Sequence, residues 1–285
     1  MPTVSAKDGT RLHYSDTGSG PPVVFLNVAM LDSRMWDRQV GALAERGLRC
    51  VTYDRRGGGR SDRPEEGYDY DTLADDLAAL LDHLELTGVT LVGYAVGGGE
   101  AVRYLTRHGA HRVAGLVLAA SATPVLFRTE GNPHGIVPAE FEPVFAAMRA
   151  DLPAFLEELS VPFFGGPTAT AQNPGSSDEL RSWVARVAMD TSPHAAEALY
   201  RMLLGEDFRA ELPLVGLPTL VVHGDADVGS PFALCGPPTA ALVPDSSLVV
   251  YEGAAHGLFA THAERFSDDL LSFVGRDAGA GGGEA

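Results

Sequence analysis

Short apolar segments alternate with longer amphipathic ones along most of this chain, and this alternation restricts the fold more than any other feature. Tyr70–Leu84 is the clearest amphipathic segment, because its leucines recur with the 3.6-residue period of a helix. Strands that alternate with helices predict βαβ units and a mostly parallel sheet. The predicted buried strands are Val23–Asn27, Leu48–Tyr53, Val89–Tyr94, Val113–Ala119, Leu220–His223 and Leu248–Tyr251.

The two ends of the chain follow different patterns. Thr3–Ser5 and Arg11–Asp16 flank the turn dipeptide Asp8-Gly9, which predicts a β-hairpin. Residues 275–285 are mostly glycine, alanine and acidic residues, so we expect a disordered tail there.

The alternation stops between Ser121 and Leu212, where no strand-like run occurs. Helical patterns cover Glu140–Ala150, Leu152–Leu159, Asp178–Ala188 and Ala195–Leu204. We therefore predict an α/β core over residues 1–121 and 213–274, with a helical cap over residues 122–212. Aromatic residues of the cap are candidates for a ligand pocket, although aromatic side chains more often form such a segment's own core. They are Phe127, Phe141, Phe145, Phe155, Phe163, Phe164 and Trp183.

Charge and hydropathy exclude several classes of partner. The chain has 38 acidic and 21 basic residues, a net charge of −17, which repels phosphate backbones and anionic lipids. We therefore expect no nucleic-acid and no membrane partner. The uncharged, mostly apolar run Val113–Phe127 has 15 residues, whereas a bilayer needs about 20. Met1–Thr10 lacks the features of a secretory signal, so a cytoplasmic location is expected.

A glycine-flanked turn joins the predicted strand Val89–Tyr94 to a predicted helix. The nucleophile elbow G-x-S-x-G has this context, because its strained turn needs small residues two before and two after the centre. Gly93 and Gly97 meet that requirement here, but the centre is Ala95 rather than serine. The pattern therefore indicates an elbow without its nucleophile.

An acid and a histidine follow two later strands. Asp227 comes after Leu220–His223, and His256 lies in a small-residue turn after Leu248–Tyr251. The chain order of elbow, acid and histidine is that of α/β hydrolases, and ligands of open α/β sheets bind at the carboxyl ends of the strands. We predict that Ala95, Asp227 and His256 form the catalytic site, with Asp227 holding the His256 tautomer.

Further segments resemble the α/β-hydrolase superfamily, and within it the cofactor-free haloperoxidase/perhydrolase and 3-oxoadipate enol-lactonase-like group. The resemblance covers nearly the whole chain and implies an α/β fold with an eight-stranded, mostly parallel sheet, helices on both faces and a helical cap. It implies no cofactor and no metal. It also identifies Asp227, in preference to Asp225, as the acid and His256 as the base. The segments are Met35-Trp36-Asp37, Tyr53–Asp62, Gly98-Gly99-Glu100, His223–Asp227 and Gly253–Gly257.

The same resemblance suggests which residues bind the substrate. The backbone N–H groups of Ala29 and Val96 match the family's oxyanion-hole donors, which act whatever their side chains are. Asn27-Val28 replaces the family's His-Gly pair. Enol-lactonase relatives also carry asparagine there, which favours a lactone-type substrate, whereas Val28 departs from the pattern. We expect Asn27, Val28, Ala29, Tyr94 and Val96 to form the substrate-binding site.

Alanine at position 95 leaves three functions open, because alanine cannot form an acyl-enzyme. The first is a hydrolase of a small ester, lactone or related acyl substrate, with perhydrolysis as a side activity. Its nucleophile serine would have been replaced, which impairs the chain as written. The second is an enzyme that naturally lacks the serine and uses the His256–Asp227 pair as a general base: an isomerase, epimerase, lyase or non-covalent hydrolase. The third, which the intact pair disfavours, is a small-molecule binder.

The partner expected under each hypothesis is a small molecule. The Phe-rich cap favours an apolar or aromatic compound, and no basic cluster in the cap points to a phosphate or a polycarboxylate. The sequence indicates no particular substrate and no oligomeric state.

Overall fold

An eight-stranded sheet forms the centre of the protein in a computed structural model that describes residues 2–166 and 173–280. Its strands are β1 (Thr3–Ser5), β2 (Arg11–Gly18), β3 (Pro22–Leu26), β4 (Arg49–Tyr53), β5 (Val89–Tyr94), β6 (Val113–Ala119), β7 (Thr219–Gly224) and β8 (Ser246–Tyr251). They lie in the order β1-β2-β4-β3-β5-β6-β7-β8. The pairs β1–β2 and β2–β4 are antiparallel and all others are parallel, so the predicted sheet is confirmed.

The helices connect the strands as the sequence pattern predicts. They are α1 (Asp37–Ala44), α2 (Tyr70–His83), α3 (Val96–His108), α4 (Glu142–Ala150), α5 (Leu152–Phe163), α6 (Asp178–Ala188), α7 (Pro193–Gly205), α8 (Gly236–Leu242), α9 (Leu258–Thr261) and α10 (Ala263–Ala280). Helix α2 illustrates why they form. The Asp69 side chain caps its N-terminus by accepting a hydrogen bond from Thr72 N at 2.8 Å, and its leucine stripe is buried in the core.

Helices α4 to α7 lie in the chain between β6 and β7 and contact the loops that follow other strands. The Thr191 hydroxyl donates to the carbonyl of Met30, in the loop after β3, at 2.9 Å. The amide of Gly257, in the loop after β8, donates to the carbonyl of Phe163 at 2.7 Å. These helices therefore lie at the carboxyl ends of the strands. Between Ser121 and Leu212 the described residues add no strand to the sheet. The cap boundaries at 122 and 212 stay predictions.

The C-terminal helix is longer than the sequence suggested. Helix α10 continues to Ala280, so residues 275–280 are helical where we expected a disordered tail. Extending a helix that is already anchored needs no new nucleation, and the buried side chains of Phe266, Leu270 and Phe273 anchor this one. The remaining expectation, for residues 281–285, falls outside the described residues.

Glycines after position 95 allow the start of α3 to lie close against the sheet. A Cβ atom on Gly97 would overlap the carbonyl group of Leu26 at the end of β3, and one on Gly98 would overlap the Ser121 side chain. The backbone of this turn therefore lies closer to its neighbours than any larger residue would allow.

We expect Gly97→Ala to lower the free energy of unfolding by about 1–3 kcal/mol, because its Cβ meets backbone that cannot move aside cheaply. Gly41→Ala is the matched control, because Gly41 lies in the exposed part of α1 and a Cβ there meets nothing within 4 Å. It should keep or raise stability, by up to about 1 kcal/mol. Urea unfolding followed by circular dichroism measures both, and equal stabilities would contradict the packing argument.

Candidate active site

Ala95 occupies a strained turn between β5 and α3. Its φ of 50° and ψ of −110° lie in a region that favours glycine, at a cost of about 1–3 kcal/mol for other residues. Hydrogen bonds hold the turn in place: the Ala95 amide donates to the Ala119 carbonyl at 3.1 Å, and the Gly98 amide donates to the Ala95 carbonyl at 3.1 Å. The residue is almost completely buried. The backbone thus has the geometry of an elbow although the side chain has no nucleophile.

Asp227 and His256 form a buried hydrogen-bonded pair. His256 Nδ1 donates to Asp227 Oδ2 at 2.7 Å, which fixes the ring tautomer and leaves Nε2 as the acceptor. The other carboxylate oxygen of Asp227 accepts from the amides of Gly229 and Ser230, each at 2.8 Å. Asp225 instead accepts from the Gly253 amide at 2.6 Å. Asp227, not Asp225, is therefore the acid beside His256, as the sequence indicated.

The electrostatics of this pair keep Asp227 ionised. Burial alone would raise the pKa of its carboxyl, but the charge of His256 and the hydrogen bonds from His223 and His256 hold that pKa well below its usual range. A carboxylate that stays charged can orient His256 and stabilise the imidazolium that forms when the ring accepts a proton.

A second histidine, which our sequence analysis gave no role, also borders Asp227. His223 Nε2 lies 3.4 Å from Asp227 Oδ2 and donates to the Ser230 carbonyl at 2.8 Å. Its Nδ1 atom is buried without a hydrogen-bond partner in the described part of the chain. The only sequence signal for this contact was its place at the end of β7, four residues before Asp227.

Tyr94 holds the loop that carries His256. Its hydroxyl donates to the backbone carbonyl of His256, and its ring meets the His256 ring edge to face with centroids 5.8 Å apart. The side chain is fully buried. Tyr94 therefore joins the elbow to the loop that carries His256, and its expected role in substrate binding stays a prediction.

Asn27 also has a structural role. Its side-chain Nδ2 donates to the Tyr53 carbonyl at 2.8 Å, and its Oδ1 accepts from Trp36 Nε1 at 2.8 Å. The residue is only 2% exposed. Both polar atoms of the amide thus have protein partners, and the expected substrate contact of Asn27 stays a prediction.

The remaining predicted binding residues lie on either side of the elbow. Val96 is the first residue of α3, and the N–H groups of a first helical turn have no partner within the helix. Ala29 is buried in the loop after β3. Their roles as donors to a substrate stay predictions.

A small apolar pocket lies between the loop after β3 and helices α5, α6 and α7. Phe163, at the end of α5, lines this pocket and also contacts His256, because the two rings meet edge to face with centroids 5.2 Å apart. The residues Ala95 and His256 are themselves 4% and 6% exposed, so the site is almost closed in this structure. The lining residues include Val28, Met30, Leu156, Phe163, Val184 and Tyr200.

Most aromatic residues proposed as pocket candidates do not line this pocket. Phe163 does, whereas Phe145 and Phe164 are buried in the protein core. Trp183 lines a separate depression with Arg34 and Phe259. The cap aromatics thus serve mainly its own packing, which is their commoner role.

Acid conditions should reduce the stability that Asp227 contributes. A carboxyl whose pKa is lowered on folding stabilises the native state above its unfolded pKa of about 3.9, and that stability is lost as the pH falls towards the folded value. Asp227→Asn should therefore cost about 1 kcal/mol more at pH 7 than at pH 3. Urea unfolding at both pH values measures the difference. The same cost at both would contradict the lowered pKa.

The described residues contain no group of three or more histidine, cysteine or acidic residues placed to hold a metal ion. Nor does any helix among them have the length and apolar character needed to span a bilayer.

Comparisons with known proteins agree with this fold. A sequence profile described as alpha/beta hydrolase fold matches residues 21–263. The non-heme haloperoxidase of Rhodococcus erythropolis is 38% identical over 278 residues, 96% of this chain and 99% of that protein. A bifunctional esterase/perhydrolase of Acinetobacter calcoaceticus is 33% identical over 282 residues, 96% of this chain and 99% of that protein.

A solved structure extends the likeness to three dimensions. An esterase from Exiguobacterium antarcticum superposes with a TM-score of 0.90 at 34% identity, covering 95% of this chain and 98% of that one. The fold is thus that of a class of enzymes built on a mostly parallel sheet. The chain belongs to the α/β-hydrolase family.

Proposed function

We propose that this scaffold hydrolyses small esters, lactones or related acyl substrates through residue 95, and that the chain as written is impaired because Ala95 replaces the serine nucleophile. The Asp227–His256 pair carries this proposal, because the 2.7 Å hydrogen bond leaves His256 ready to accept a proton. Tyr94, the residue before Ala95, contacts the His256 ring and carbonyl, so the elbow and the base are neighbours.

The reaction would follow the serine-hydrolase scheme. A serine hydroxyl at position 95 would transfer its proton to His256 Nε2 as its oxygen attacks the substrate carbonyl. The amides of Ala29 and Val96 would donate to the oxygen that becomes negative. His256 would then return the proton to the leaving group, and water would release the acyl group by the same steps in reverse order.

The names of the relatives support this chemistry. They include an esterase and an enzyme that is both esterase and perhydrolase, so a perhydrolase side activity belongs to the proposal. The apolar pocket beside Val28 and Phe163 suits an apolar or aromatic acyl group. A cap over residues 122–212 would close this pocket, and a cytoplasmic location and the absence of a cofactor are part of the same proposal.

A second candidate is an enzyme that naturally works without the serine. One observation favours it: the strained turn and the Asp227–His256 pair are both intact although residue 95 is alanine. His256 would then act as a general base on water or on a carbon acid, and the two amides would stabilise an enolate or another anion. Isomerase, epimerase, lyase or non-covalent hydrolase reactions fit this description. A binder without turnover would not need the pair.

Covalent labelling distinguishes the two candidates. Under the first, Ala95→Ser should gain the mass of one phosphonyl group when incubated with a fluorophosphonate, and the chain as written should gain none. Ala95→Ser combined with His256→Ala is the control, and it should label far more slowly because the hydroxyl has lost its base. Intact-protein mass spectrometry measures all three. An Ala95→Ser protein that stays unlabelled would count against acyl transfer.

A further inference from the structure

A buried arginine contacts the loop that carries Ala29. Arg55, which follows β4 and is 4% exposed, donates from Nη2 to the carbonyl of Asn27 at 2.8 Å. Its Nη1 atom donates to the carbonyl of Val28 at 3.1 Å. One guanidinium group thus holds two successive carbonyls of the loop after β3.

The same guanidinium group is tied to the helix that begins at the elbow. Arg55 Nε and Nη2 donate to Glu100 Oε2 at 3.1 and 2.8 Å, and the hydroxyl of Tyr53 donates to the other oxygen of Glu100. Glu100 is fully buried and lies four residues after Val96, so the two share one face of α3. Arg55 therefore links the loop after β3 to the first turns of α3.

This link has a geometric consequence for the Ala29 amide. The carbonyl of Val28 and the N–H of Ala29 belong to one planar trans peptide unit, in which they point in opposite directions. A hydrogen bond that fixes the carbonyl therefore also fixes the direction of the N–H. Because Arg55 is held by Glu100 as well, that direction is set relative to α3 and to the amide of Val96.

We propose that Arg55 is a positioning residue that aims the Ala29 amide, together with that of Val96, at the anion formed during the reaction. The inference rests on the proposed function, in which these two amides stabilise the oxyanion. Arg55 touches neither substrate nor reacting atoms in this role, and it acts through the Val28–Ala29 peptide. Arginine suits the task, because its planar group of five donors can span two carbonyls and a carboxylate, which the ammonium of a lysine cannot.

The chain supplies a matched control in the next residue. Arg56 is also buried and also paired with a buried carboxylate, since its Nε and Nη2 donate to the two oxygens of Asp76 at 2.7 Å. Its third hydrogen bond goes to Asp8. Arg56→Lys therefore disturbs a similar ion pair that does not hold the loop after β3.

The kinetic test compares Arg55→Lys and Arg56→Lys in the Ala95→Ser enzyme. Arg55→Lys should lower kcat for a p-nitrophenyl ester about 10- to 100-fold with KM nearly unchanged, because a misplaced donor weakens only the transition state. The rate ratio between the ester and its thiono analogue should also fall, since sulfur is a weak acceptor and gains little from a well-aimed amide. Arg56→Lys should change neither quantity. Glu100→Gln removes the charge but keeps an acceptor, and it should lower kcat as Arg55→Lys does. It replaces Arg55→Lys in the test if that variant fails to fold.

A crystal structure of each lysine variant in the chain as written tests the positioning without catalysis. The Val28–Ala29 peptide plane should rotate in Arg55→Lys and stay in place in Arg56→Lys. If Ala95→Ser proves inert, the proposed function fails and the crystal structures alone decide whether Arg55 sets this plane. If Ala95→Ser is active but Arg55→Lys keeps the kcat and the thiono ratio of Arg56→Lys, the inference is overturned while the proposed function stands.

Discussion

Replacing Ala95 with serine is expected to raise the turnover of small esters by several orders of magnitude. Loss of the nucleophile from such a site costs on the order of 10⁶-fold in kcat, and binding and anion stabilisation leave a residual rate of about 10³–10⁴ over water. Two features that acyl transfer would require are in place: the turn has its strained backbone, and His256 Nδ1 lies 2.7 Å from Asp227. Initial rates on p-nitrophenyl esters and simple lactones measure the gain.

Ala95→Gly is the control for that experiment. Glycine also lacks a nucleophile, so turnover should remain at the level of the chain as written. Stability should rise by about 1 kcal/mol, because a φ of 50° costs glycine almost nothing. An Ala95→Ser protein no more active than Ala95→Gly on a broad panel would mean that Val28 or the predicted cap closes the site to acyl transfer. The serine-free candidate would then be the better account.

The sequence predicted the strands of the sheet and the chain order of Ala95, Asp227 and His256 well, because both depend on local pattern. Apolar runs of strand length mark β3 to β8, and the glycines at 93 and 97 mark the turn around Ala95. Asp227 and His256 each follow a strand, so the parallel topology brings them to the same edge of the sheet. Short-range pattern and topology were therefore sufficient to find the pair.

The roles of Asn27 and Tyr94 could not be predicted in this way. The Tyr94 hydroxyl finds its partner 162 positions away, in the carbonyl of His256, and the Asn27 amide finds its partners on Tyr53 and Trp36. A polar side chain at the end of a strand has the same local sequence whether it faces a ligand or the core. Only the packing of distant segments decides between the two.

The buried ion pair shows the same limit for charged residues. Arg55 and Glu100 are separated by 45 positions, and neither has a neighbouring residue in the sequence that indicates a partner. Charged residues are almost never fully buried unless they are paired, so the local sequence by itself favours an exposed side chain for each. The length of α10 was missed for a related reason, since its end depends on the anchoring of the residues before it rather than on local composition.

Asp227→Asn in the Ala95→Ser enzyme should lower kcat about 10⁴-fold, because an amide that donates to His256 Nδ1 stabilises the wrong tautomer. The ring would then carry its proton on Nε2 and could not accept one from the serine hydroxyl. Little change in KM is expected, since neither Asp227 nor His256 lines the apolar pocket. Steady-state kinetics on the preferred ester, at a pH where the parent enzyme is fully active, measure both constants.

Asp225→Asn is the matched control, since it makes the same chemical change two residues earlier. The Asp225 carboxylate is exposed and accepts from the Gly253 amide, so its loss should cost less than tenfold through a small shift of the turn that precedes His256. The opposite ranking, with Asp225→Asn inactive and Asp227→Asn active, would show that the wrong acid had been assigned. The same two variants test the serine-free candidate. A general-base reaction of the chain as written should also depend on Asp227 and not on Asp225. The reason is that the tautomer of His256 matters whether the ring activates a hydroxyl, a water molecule or a carbon acid.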